Sequence, residues 1–68
     1  MKNSEQIGKN IKKARANTEL TQAEVARKVG INVNYYARIE RGEHVPSLDV
    51  LEAIAKVLKI KSSEILPF

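Results

Sequence analysis

Between positions 33 and 41 the chain carries side chains that could hydrogen-bond to a polar, anionic surface. If this stretch is a helix with Tyr36 and Ile39 turned inward, then Asn34, Ala37, Arg38 and Arg41 point outward, flanked by Val33 and Tyr35. That face is rich in donors and carries no acid. The guanidinium of Arg38 offers a planar fork that matches O6 and N7 of guanine. The Asn34 carboxamide can pair with the edge of adenine, and Val33 can meet a thymine methyl. The Tyr35 hydroxyl suits phosphate or sugar oxygens. A polar helix face in isolation implies only solvation, so the reading depends on the elements that carry it.

Those elements are spelled out between Gln22 and Arg41, where small, apolar and polar residues follow the order of a helix-turn-helix. Ala26 sits where two steeply crossed helices approach most closely. Gly30 ends the first helix at a position that calls for positive φ. Val25, Val29, Ile31, Tyr36 and Ile39 form the shared core. Thr21 with Glu24 three residues later makes a capping box, and Asn32 caps the second helix. A plain helical hairpin would explain the apolar positions but not the donor-rich outer face. Upstream, Ser4 can cap a helix with Ile7, Ile11 and Ala14 inward. Downstream, Ser47 can cap another whose inward stripe is Leu48, Leu51, Ile54, Ala55 and Leu58. Ser62 or Ser63 can open a short fifth helix through Ile65 and Leu66.

Three stretches together resemble the lambda-repressor-like, Xre class of helix-turn-helix DNA-binding proteins. They are Ile7 to Arg15 ahead of Leu20-Thr21-Gln22-Ala23-Glu24-Val25-Ala26, then Arg38-Ile39-Glu40-Arg41-Gly42, then Pro46-Ser47-Leu48. The resemblance covers essentially the whole chain. It implies an all-α, compact five-helix bundle whose second and third helices read duplex DNA, in a transcriptional regulator that binds an inverted-repeat operator as a homodimer. Carried over residue by residue, it assigns Val33, Asn34 and Arg38 to bases and Thr21, Gln22, Tyr35 and Arg41 to the DNA backbone. The Gln22 side chain and amide would clamp a phosphate. Arg15 and Glu40 match a pair that orients the recognition helix, and the apolar Ile65, Leu66 and Phe68 match a dimer contact. The alternative at the C-terminal end is that Leu66 and Phe68 close the core. The chain departs from the family pattern at Val33, commonly polar, at Glu43, commonly basic, at Lys59, commonly glycine, and at Lys61, commonly Ser or Thr.

Composition is consistent with this reading. The 68 residues, with a net charge of +4 and no cysteine, suit a single domain over residues 1–68 that relies on aliphatic packing. Nine of the twelve Lys and Arg but only four of the eight acids lie within residues 1–41, the part that holds the motif. No stretch is apolar enough for a membrane span or a secretion signal, which implies a cytoplasmic protein. No phosphate loop, metal-ligand spacing or nucleophile-base pair is present, so no catalytic residue, cofactor or metal site is expected. The competing reading is a protein-interaction module of antitoxin or controller type, docking a partner through its C-terminal apolar face.

Overall fold

A computed structural model describes residues 3–67. It contains α1 (Asn3–Ala16), α2 (Gln22–Val29), α3 (Val33–Glu40) and α4 (Leu48–Leu58), followed by a 3-10 turn at Ser62–Glu64. Local chemistry sets most of these boundaries. At α2 the Thr21 hydroxyl accepts the Glu24 amide at 3.1 Å while the Glu24 carboxylate accepts the Thr21 amide at 2.8 Å, completing the capping box. That backbone amide holds the Glu24 carboxyl below the ordinary range. Gly30, at φ 89°, ends α2 and lets the amides of Gly30 and Ile31 both reach the Ala26 carbonyl. Asn32 then caps α3 through the Asn34 amide at 2.7 Å, and Ser47 caps α4 through Val50. Ser4 lies inside the first turn of α1 rather than capping it.

The helices meet over one apolar core. Ile7 and Ile11 of α1, Val25 and Ala26 of α2, and Tyr36 and Ile39 of α3 are buried together with Leu51, Ile54, Ala55 and Leu58 of α4. Val29 and Ile31 pack at its margin, half-buried. Leu48, expected in the inward stripe of α4, is instead 59% exposed. It occupies the first helical position, so it precedes the turn at which α4 reaches the other helices.

The approach of α1 to α3 depends on Gly8. A Cβ at that position would stand 2.5 Å from the Ile39 carbonyl oxygen and 2.7 Å from that of Glu40. Glycine inside a helix is costly, and here it lets the last turn of α3 rest directly on the α1 backbone.

The expected five-helix bundle requires correction: among the described residues four α-helices are present, followed by a single 3-10 turn. Lys59 leaves α4 in the left-handed region at φ 60° and Lys61 is extended, so a new helix can begin only at Ser62. Pro67 lacks an amide hydrogen and disfavours helical backbone at Leu66, which leaves too few residues for an α-helix. A non-glycine residue in the left-handed region costs about 1 kcal/mol.

Ile65 also departs from expectation. It is wholly buried in the protomer core, where it cannot meet a second copy, and its carbonyl accepts a hydrogen bond from the Asn10 carboxamide at 2.7 Å. Asn10 in turn accepts from Gln6, tying the C-terminal turn to α1. Leu66 lies half-buried against the core, and Phe68 falls outside the described residues. No helix among the described residues is long and apolar enough to cross a membrane.

Replacing Gly8 with alanine should lower stability by about 1–3 kcal/mol, the usual cost of forcing atoms into a packed contact. Urea denaturation measures this directly, and an unchanged midpoint would show that the α1–α3 contact can relax.

Candidate nucleic-acid interface

The Glu40 carboxylate sits at the end of α3, and its side chain is only 2% exposed. An acid there is disfavoured twice, by burial and by the negative end of the helix dipole. Three donors offset both. Arg15 of α1 reaches Oε2 through Nε at 2.7 Å and Oε1 through Nη2 at 3.3 Å, a two-pronged contact. Gln22 of α2 donates Nε2 to the same Oε1 at 2.9 Å. The remaining arm of Arg15 donates to the Leu20 carbonyl at 3.1 Å in the turn between α1 and α2. One carboxylate thus joins α1, α2, the intervening turn and α3.

Burial alone would raise the Glu40 carboxyl, but the hydrogen bonds from Arg15 and Gln22, with the neighbouring Tyr36 hydroxyl, hold it below the ordinary carboxylate range. Hydrogen bonding to Glu40 correspondingly raises the Arg15 guanidinium. Tyr36 is fully buried beside the pair, and its hydroxyl makes no hydrogen bond of good geometry. Burial first, and the adjacent Glu40 carboxylate second, push that phenol far above its usual range.

With Tyr36, Ile39 and Glu40 inward, the opposite side of α3 faces outward. Val33, Asn34 and Arg38 are exposed there. Among the described residues, no side-chain hydrogen bond or ion pair engages Asn34 or Arg38. Tyr35 and Arg41 flank this face but are already in use. The Tyr35 ring meets His44 edge-on, with centroids 5.2 Å apart, and Arg41 is ion-paired to Glu43 at 2.7 Å on the surface. That pair holds the Glu43 carboxyl below its ordinary range. The loop after α3 therefore folds its acid onto one of the cations expected to face phosphate.

Thr21 is exposed at the start of α2, its oxygen engaged in the cap. Gln22 differs from expectation, because its side chain turns inward to Glu40. The first backbone amides of α2, like those of any helix start, have no intrahelical acceptor. Sequence reasoning also passed over Gly8 and Asn10. The sign of Gly8 was available as a lone glycine within a helical apolar pattern. Gln22 carried no local sign of an inward partner, because that partner is 18 residues away.

A helix-turn-helix family model matches residues 11–65. An immunity repressor protein of Bacillus phage phi105 is 42% identical over 59 residues, covering 87% of this chain and 41% of that protein. Antitoxin PezA of Streptococcus pneumoniae is 39% identical over 59 residues, covering 87% of this chain and 37% of the antitoxin. The chain thus spans about two fifths of the length of these relatives. Among solved structures, the restriction-modification controller protein C.AhdI from Aeromonas hydrophila superposes with a TM-score of 0.87 at 25% identity, covering 93% of this chain and 96% of that one. The names are those of regulatory proteins rather than enzymes.

Glu40→Gln should destabilise the fold by about 2 kcal/mol, less than for a fully enclosed pair because the Arg15 side chain is 21% exposed. Removing both partners, as in Arg15→Met with Glu40→Leu, should cost less than removing Glu40 alone. Because the folded carboxyl titrates below its unfolded value, its contribution is complete above the ordinary glutamate range. It is lost as pH falls from there through the lower folded value. Denaturation followed from neutral to acidic pH should show a steeper loss in the parent than in Glu40→Gln; parallel curves would remove Glu40 from the acid response.

Proposed function

We propose that the chain, which belongs to the helix-turn-helix family, is a DNA-binding regulatory protein of the Xre-like type and a sequence-specific repressor acting as a homodimer on an inverted-repeat operator. The observation that carries this reading is the outward face of α3, where Val33, Asn34 and Arg38 stand exposed on a helix whose opposite face is buried. Arg38 and Asn34 read base edges, and Val33 supplies an apolar contact. Thr21, the free amides at the start of α2, Tyr35 and Arg41 hold phosphates and set the register. Arg41 exchanges Glu43 for phosphate on binding, an inexpensive trade because exposed ion pairs contribute little.

A single module this small makes few contacts, and pairing supplies the remainder. Two copies would set their α3 helices in successive major grooves, about 34 Å apart. Away from α3, Val45 and Leu48 around the start of α4 are 57% and 59% exposed, and the half-buried Leu66 lies at the C-terminal end. Pairing through these, with Phe68, leaves Ile65 in the core. Residues 1–68 form one domain in this reading. The similarity to an antitoxin and to a controller protein supports a second role in which the same bundle also binds a protein partner.

Selection of bound duplexes from a random pool at moderate salt should enrich an approximate inverted repeat; a pool left at background would defeat the proposal. On the selected duplex, Arg38→Ala should weaken binding by about tenfold or more and relax preference at one position per half-site. Glu43→Gln should instead strengthen binding only slightly, by about threefold or less and equally for all duplexes, since it frees Arg41 from an exposed pair. A sequence-dependent gain would assign Glu43 to base readout.

A further inference from the structure

A second surface lies between the α1–α2 turn and the last turn of α4. It is a groove of about 590 Å³ lined by the apolar Leu20, Val57 and Leu58, by Thr18, and by Lys28, Lys56 and Lys59. Its volume falls within the range of ordinary ligand sites. No residue lining it is acidic. The three lysines are exposed, so their ammonium groups can move over the groove.

One of the three is held there against its backbone preference. Lys59 is the only non-glycine residue with positive φ among those described, at 60°. The cap it forms uses backbone alone: its amide and that of Ile60 bond to the carbonyls of Lys56 and Ala55. Glycine would make the same bonds without strain. The cap therefore has no use for the lysine side chain, which lies at the groove. A residue kept in a strained conformation that local structure does not require points to a use elsewhere.

We propose that this groove docks an acidic, apolar segment of a partner protein, with apolar side chains on Leu20, Val57 and Leu58 and carboxylates facing Lys28, Lys56 and Lys59. Charge complementarity selects this occupant. A small inorganic anion would leave the apolar lining wet. A nucleic-acid backbone has no apolar side chain to place on that lining, and the face of α3 that carries Asn34 and Arg38 does not line the groove. The site is independent of the DNA reading, because it shares no residue with that face.

A fluorescein-labelled peptide of glutamate and leucine at helical spacing, followed by anisotropy, provides the test. It should bind the parent protein, and the same peptide with glutamine for glutamate should bind more weakly. Lys59→Gly should lose about threefold in peptide affinity, the scale of one exposed charge pair. The same variant should keep or raise the thermal midpoint and leave duplex binding unchanged. Lys28→Gln with Lys56→Gln should lose about tenfold, as two such pairs would, while Arg38→Ala should bind peptide as the parent does. The proposal is overturned if the acidic peptide does not bind, if the glutamine peptide binds equally well, if Lys59→Gly retains full affinity, or if duplex DNA displaces the peptide.

Discussion

The fold turns on a carboxylate where a carboxylate is poorly tolerated. Glu40 is buried at the negative end of α3, and it can be so only because Arg15 and Gln22 bring donors to it from two other helices. A node of this kind contributes modestly to stability, since desolvation offsets most of the attraction. Its larger effect is geometric. Three helices must hold their mutual orientation or leave a buried charge unpaired, and Tyr36, packed beside the pair, gives them little freedom to adjust.

Orientation of α3 decides what its outer face presents. Gly8 allows the end of α3 to lie on α1, and Ala26 and Gly30 allow α2 to turn into α3. With the inner side fixed at Tyr36, Ile39 and Glu40, helical periodicity puts Val33, Asn34 and Arg38 outside. The buried charge is neutralised internally by Arg15, so the cations of the outer face are not drawn inward. The loop following α3 is the exception, because Glu43 engages Arg41 at the surface.

Features that depend on neighbouring residues were legible in the sequence. The capping box of Thr21 and Glu24, the glycine at position 30 and the caps at Asn32 and Ser47 are each decided within four residues, and each is found as its chemistry suggests. The outward placement of Asn34 and Arg38 followed from period alone. The pairing of Arg15 with Glu40 was not legible that way and came from family resemblance. What failed depended on distant packing. Leu48 fits the apolar stripe of α4, yet at the first helical position it stays exposed, while Leu51 one turn later is buried. Ile65 looked like surface because it lies in an apolar terminal run, but the thin core takes it in, and Asn10 fixes it there. The missing fifth helix reflects the short span between Lys61 and Pro67. The family resemblance places the Gln22 side chain on phosphate, and nothing local marks its bond to an acid 18 positions away.

In the proposed function the Glu40 node holds α3 so that Asn34 and Arg38 meet the bases. The direct measurement is side-chain NMR during titration with a selected duplex. The largest shifts should fall on the Asn34 carboxamide and the Arg38 Nε resonance, with the Arg15 Nε signal unmoved because its bond to Glu40 persists. Shifts centred on α1 or α4, with Asn34 and Arg38 unaffected, would show that α3 does not meet the duplex.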